Sequence, residues 1–145
     1  MLNSKPLKKI ILCLLINVLF SCLSERPCQN FELGETFEFS YQEHVTHCTE
    51  PISITFLELS QDSRCPENVT CVWQGLAQIK ILVSVNGQEK PFDLSTYPPH
   101  QGIPSEIVFL GYKIALVDLK PYPNTTRKYR IEDYQAYLLI DKVEE

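Results

Sequence analysis

The chain has 145 residues and six cysteines, enough for one compact domain and not two once a targeting segment of about twenty residues is set aside. Its formal charge is −5, from 13 basic and 18 acidic residues; Lys5, Lys8 and Lys9 fall in the first 21 residues, which hold no acid, so the remainder carries 10 against 18, or −8. That balance, with Arg127, Lys128 and Arg130 as the nearest approach to a basic cluster, argues against nucleic acid or another polyanion as a partner.

Lys5, Lys8 and Lys9 precede an apolar run from Ile10 to Phe20 that only Asn17 interrupts, the layout of a secretory signal spanning residues 1–21. The run is shorter than the ~20 apolar residues a membrane-spanning helix needs. It ends in Leu19-Phe20-Ser21-Cys22, which resembles a bacterial lipobox, with Phe20 standing where a small residue is usual. The resemblance implies that Cys22 is lipidated and becomes the mature N-terminus, with residues 22–30 as a short tether to the membrane. Ordinary cleavage near Ser24 is a second reading, because Cys22 and Ser24 are both small, and it would release a secreted protein; in a third, Cys22 is an h-region cysteine like Cys13. The expected location is therefore the cell envelope, anchored by lipid, or the exterior if Cys22 stays unmodified.

With Cys13 inside the signal and Cys22 at its end, Cys28, Cys48, Cys65 and Cys71 remain for the domain. Four cysteines in an oxidising compartment read as two disulfides. Of the three connectivities, Cys65 with Cys71 and Cys28 with Cys48 is favoured, since Cys65-Pro-Glu-Asn-Val-Thr-Cys71 is a turn-rich segment that a local bond closes. Such rings are worth about 2 and about 3 kcal/mol, respectively, in the chain-entropy picture. No Cys-x-x-Cys pair marks a redox site, and the spacings do not match paired zinc knuckles. His44 and His47 beside Cys48 have metal-like spacing, but residues three apart on a strand point to opposite faces, and a bonded Cys48 leaves only two ligands. No metal and no cofactor is expected.

Period-two alternation recurs along residues 31–145 and no helical period is sustained. Phe37, Phe39 and Tyr41 alternate with polar residues. Ile52, Ile54 and Phe56 do the same before Leu57 and Leu59 change phase, which suggests a bulge or a strand buried on both faces. Ala77, Ile79, Ile81, Val83 and Val85 form the clearest strand and end at Asn86-Gly87, the strongest short hairpin signal, so Phe92 and Leu94 belong to the return strand. Beyond a loop with Pro98, Pro99 and Pro104, residues 107–110 and 112–119 read as strands parted near Gly111. Lys120-Pro-Tyr-Pro-Asn is a turn, and Tyr134, Ala136, Leu138 and Ile140 begin the last strand. Tyr134-Gln-Ala136 resembles the tyrosine corner of Greek-key sandwiches. Six or seven short antiparallel strands predict a disulfide-stapled all-β domain, a sandwich or a small Greek-key barrel.

The most distinctive block is Asp62-Ser-Arg-Cys-Pro-Glu-Asn-Val-Thr-Cys-Val-Trp-Gln-Gly75, running directly into the best strand. With a weaker echo in Leu119-Lys-Pro-Tyr-Pro-Asn and Asp133-Tyr-Gln-Ala-Tyr-Leu, it resembles a signature of small exported bacterial lipoproteins of the Bacteroidota type, whose function is not established. The resemblance implies an envelope-associated β-domain and brings no reaction with it. Read from the residues, Asp62 and Ser63 form turns, Pro66 fixes a bend, and Trp73 has the size to cap the core beside the disulfide. Asp62 and Arg64 are placed to pair with each other or with backbone groups. If the rigid loop docks with a partner, Arg64, Glu67 and Asn68 are its expected exposed contacts, with Trp73 beside them.

Asn68-Val-Thr70 and Asn124-Thr-Thr126 fit the N-glycosylation sequon, which carries meaning only in a eukaryotic source. No Gly-x-Ser-x-Gly elbow is present, and no catalytic residue is assigned. The function expected from sequence is a non-enzymatic envelope lipoprotein with a binding or structural role, its partner an unknown protein or glycan. The alternative is a small secreted hydrolase inhibitor, or a hydrolase, acting through the disulfide-rigid loop.

Overall fold

Alternating apolar side chains build eight strands among the residues that the computed structural model describes, 31–97 and 102–143. The signal segment, Cys22 and Cys28 lie outside the described residues. The strands are β1 (Thr36–Ser40), β2 (His44–Thr46), β3 (Ile52–Asp62), β4 (Ala77–Val85), β5 (Gln88–Ser95), β6 (Glu106–Phe109), β7 (Tyr112–Lys120) and β8 (Gln135–Lys142), with a 3-10 turn at Ile131–Asp133. They form two antiparallel four-stranded sheets, ordered β1-β8-β7-β6 and β2-β3-β4-β5. The chain changes sheet only from β1 to β2 and from β5 to β6, so a sandwich rather than a closed barrel results. The strand that periodicity does not reveal is β2, three residues with only Val45 buried, too short for alternation to register.

Both inner faces contribute to one core, in which Ile54, Phe56, Ile79, Ile81, Val83, Leu94, Ile114, Leu138 and Ile140 are buried. Aromatic pairs join the sheets at two places. Phe39 of β1 lies 5.8 Å from Phe56 of β3, and Phe92 of β5 lies 5.3 Å from Phe109 of β6, separations at which tilted and edge-on rings attract. The phase change after Phe56 is a bulge: the β3–β4 register shifts between Phe56 and Glu58, and Leu57 turns outward. At the β4–β5 hairpin, Asn86 and Gly87 take φ of 51° and 78° between the paired residues Val85 and Gln88. Left-handed values at both central positions are what a two-residue loop requires to match strand twist.

The sandwich has two unlike poles. At one, Phe31 stacks on Phe37 at 4.3 Å, and Glu50 receives the Tyr112 hydroxyl and the Lys142 ammonium, each at 2.8 Å. The ammonium and phenol donors hold the Glu50 carboxyl below its ordinary value. Burial first, then the Glu50 carboxylate, pushes Tyr112 up to about 12. At the other pole lie the end of β3, the start of β4 and the end of β7, around which the candidate site is built. Strand β7 runs between the poles with nine residues, or about 30 Å of extended chain.

Candidate functional site

Two depressions open at this second pole, and the segment between β3 and β4 forms much of their wall. Its path is set by backbone bonds on either side of a disulfide. Ser63 N–H donates to the Leu76 carbonyl at 2.8 Å and Cys65 N–H to the Gln74 carbonyl at 2.7 Å. Cys65 and Cys71 are bonded, with their Cα atoms 5.9 Å apart, as the local ring predicts. Cys48 is disulfide-bonded too; its expected partner, Cys28, lies outside the described residues. Gly75 closes the segment at φ +68°, and a Cβ there would come 1.9 Å from the Ser63 carbonyl oxygen. Only glycine allows the two strands of chain to approach this closely.

Arg64 is not an exposed contact. It is 5 % exposed, and its guanidinium lies inside the pole. Nε and Nη2 each donate to Asp62 at 2.8 Å, Nη1 donates to the Leu119 carbonyl, and Nη2 also reaches the Pro121 carbonyl at 2.9 Å. The face of Tyr122 covers it, 4.3 Å from ring centre to guanidinium carbon. Burial opposes the charge, yet the hydrogen bonds and attraction of Asp62 outweigh that opposition, and the Arg64 pKa is raised. The expectation of exposure fails because a planar fork of donors finds a carboxylate and two carbonyls within reach, an arrangement that water cannot better.

Tyr134 completes this group. Its hydroxyl donates to Asp62 Oδ2 at 3.2 Å, a side-chain acceptor where a tyrosine corner uses backbone. Burial, with the Asp62 charge behind it, raises the Tyr134 pKa. The two sequence blocks singled out above therefore meet in space: Asp62 and Arg64 of the first hold Leu119, Pro121, Tyr122 and Tyr134 of the second. The Lys120–Pro121 peptide between them is cis.

Glu67 and Asn68 are exposed, as expected, but their polar groups are engaged by the same segment. Glu67 N–H donates to the Pro123 carbonyl at 2.9 Å, and Glu67 Oε1 accepts from Asn124 at 2.8 Å. Asn68 donates to Thr125 Oγ1 at 2.6 Å and accepts the Thr125 N–H at 3.1 Å. These contacts fasten the disulfide ring to the β7–β8 connection. Both sequon asparagines thus sit at one loop-to-loop contact.

Trp73 does not cap the core. Half of it is exposed, with its ring edge-on to Tyr97 at 5.4 Å. Val72 is fully exposed, and Val69 nearly half. The reason lies in the ring itself: Cys71 and Gln74 are both held at the rim, so the residues between them arch outward, and Leu76 and Ala77 fill the core position instead. One depression, about 540 Å³, is lined by Val69, Val72, Trp73, Gln74 and Tyr97 around the disulfide. The other, about 370 Å³, is lined by Arg64, Gln74, Thr96, Tyr97, Asp118 and Tyr122 among others. A bulge in β7 between Leu116 and Asp118 lets the adjacent residues Val117 and Asp118 both face this second cleft, which regular alternation would forbid.

Val72, Gln74, Tyr97, Asp118 and Tyr122 are site residues that the sequence reading did not single out. A signal for two of them exists: Tyr97 precedes Pro98-Pro99, and Tyr122 stands between Pro121 and Pro123. An aromatic ring in a proline-bound loop has no strand to carry it inward. His44 and His47 lie elsewhere and act locally. His44 contacts Thr55 and Thr46 hydroxyls at 2.8 and 3.1 Å, and His47 Nδ1 accepts the Glu50 N–H at 2.9 Å. Among the described residues, no group of three or more His, Cys, Asp or Glu side chains is arranged to hold a metal ion, and no helix is long and apolar enough to cross a membrane.

Compared with family models, curated proteins and solved structures, the chain matches none of them.

Proposed function

We propose that the protein is a non-catalytic binding domain of the cell envelope, held there by lipid on Cys22, whose contact surface is the pole built around the Cys65–Cys71 ring. One observation carries this reading: Val72 is fully exposed beside a half-exposed Trp73, on a loop tied down by a disulfide and by hydrogen bonds to Pro123, Asn124 and Thr125. Apolar side chains held rigidly in water mark a surface that is covered in use, and a loop ordered beforehand loses little entropy on docking.

The placement of the poles supports the reading. Eight residues separate Cys22 from Phe31, so the nine steps between them reach at most about 32 Å. Phe31 sits at the pole opposite the ring. A lipid on Cys22 would tether the domain through its Phe31 pole, the end away from the ring, and leave the ring accessible to a partner. The same protruding Val72 beside Cys71 favours a second reading, inhibition of a hydrolase that accepts a small aliphatic side chain.

The test is recovery of envelope material, protein and polysaccharide, on the immobilised domain. Val72→Asp, which leaves the buried Arg64 group untouched, is expected to lower recovery of the bound component about tenfold. Equal recovery by wild type and Val72→Asp refutes the assigned surface. Inhibition of an aliphatic-specific protease by wild type and not by Val72→Asp selects the second reading.

A further inference from the structure

The two depressions adjoin through Cys65, Gln74 and Tyr97, and the one of about 370 Å³ lies in the range of small-ligand sites, ~300–1,000 Å³. We propose that it binds one unit of a neutral glycan. The inference rests on the binding role just assigned to this pole and names its ligand class.

The rings come first. Tyr122 lines the cleft and is 42 % exposed; the Arg64 guanidinium covers one of its faces, so a ligand meets the other face or the ring edge. Tyr97 is partly exposed and is braced by the Trp73 edge. Flat, rigid rings held in water suit the C–H faces of a pyranose, which is apolar across the ring and polar around its rim.

The polar groups match that rim. Asp118 Oδ1 accepts the N–H of Leu119 at 2.8 Å, which orients a carboxylate that lines the cleft. Gln74, exposed on the facing wall, both donates and accepts. Sugar hydroxyls do both as well, so a carboxylate and an amide together satisfy adjacent ones.

Charge selects against acidic ligands. Among the described residues that line the cleft the cation is Arg64, and Asp62 already neutralises it. Asp118 then leaves the cleft negative, on a domain of net charge −8 beyond residue 21, and an anionic glycan is repelled.

An extended peptide is disfavoured by the backbone. Around the cleft, Ser95 N–H donates to Pro104, Thr96 N–H to Ala77, Leu116 N–H to Ser105 and Cys65 N–H to Gln74, at 2.7 to 3.0 Å. A peptide that adds itself as a strand needs free main-chain groups on the protein. These are taken, so the ligand is read by side chains.

Trp73 is the chain's one tryptophan, and its contact with Tyr97 makes its fluorescence a reporter of the cleft. The exported protein is titrated with neutral trisaccharides of glucose, N-acetylglucosamine, mannose, galactose and xylose, with trigalacturonate as the anionic comparison, and is applied to an array of neutral glycans. A saturable fluorescence change with at least one neutral sugar is expected. Its Kd should rise about tenfold in Tyr122→Ala and in Gln74→Ala, and stay within about twofold in Tyr122→Phe, which keeps the ring face. Gln74→Ala keeps the test decisive if loss of the Tyr122 ring unsettles Arg64. The proposal is overturned if no neutral glycan binds, if binding survives Gln74→Ala unchanged, or if trigalacturonate binds best. Failure here with Val72→Asp still lowering envelope recovery removes the ligand class alone; failure of both removes the binding role of this pole.

Discussion

Asp62 and Arg64, two residues apart in the chain, face each other across a two-point ion pair with both bonds at 2.8 Å and side chains 8 % and 3 % exposed, respectively. The pair is the hinge of the whole pole. Arg64 extends the link to the carbonyls of Leu119 and Pro121, and Asp62 receives Tyr134.

Breaking this pair from one side leaves a buried charge without its partner. Asp62→Asn and Arg64→Met are each expected to cost about 3–5 kcal/mol, read as a fall in the urea midpoint at unchanged slope. The Arg64 variant also orphans two carbonyls. A loss below about 1 kcal/mol in both would mean that water enters the pole and that the pair is no more than a surface contact.

Gly75→Ala sets a steric conflict against backbone. The added Cβ would lie 1.9 Å from Ser63 O at φ +68°, so the β3–β4 segment must separate, at roughly 3 kcal/mol or more. Gly87→Ala is the control: its φ is +78°, with nothing within 4 Å of the new Cβ. It should cost only the left-handed penalty of about 1–2 kcal/mol. Equal losses in the two variants would show that close approach plays no part at Gly75.

Replacing Cys65 and Cys71 together by Ser is expected to lower stability by about 2 kcal/mol through the freed unfolded chain. The ring should stay docked, because Glu67 and Asn68 still hold Asn124 and Thr125. The check combines a melting curve with limited proteolysis of residues 65–74. A wild-type midpoint with an unchanged cleavage pattern would count against any stabilising role for the bond.

At the opposite pole the pH dependence has two limbs. Glu50 is held below its ordinary value of 4.5, so its contribution is complete above that value and is lost as pH falls through the lowered pKa. Tyr112 is raised from 10.0 to about 12; its contribution is complete below pH 10 and disappears as pH rises toward 12. Glu50→Gln should therefore flatten the acid limb of the melting temperature, and Tyr112→Phe the alkaline one. The phenol itself is followed by its ultraviolet absorbance, and a Tyr112 titration centred near 10 would contradict the assignment.

Local chemistry accounts for what was legible in the residues alone. Alternation and short apolar runs gave the expected six or seven strands, Asn86-Gly87 announced its hairpin and return strand, and the phase change at Leu57 marked its bulge, because each depends on neighbours a few positions away. The Cys65–Cys71 bond and the Asp62–Arg64 pairing belong to the same class, being separated by six residues and two. Short β2 escaped for want of length rather than of principle.

What required the folded chain is the direction each of these local pieces takes. Arg64 lies beside Leu119 and Pro121, 55 and 57 residues away, only because the ends of β3 and β7 arrive at one pole from different sheets. That meeting buries a guanidinium whose neighbours in sequence suggest exposure. It turns Trp73 outward, since Cys71 and Gln74 are held behind it, and it gathers Gln74, Tyr97 and Asp118 from three separate segments into one cleft. Periodicity records which face of a strand is apolar; which loops share a pole is set by long-range packing, of which a single sequence carries no local trace.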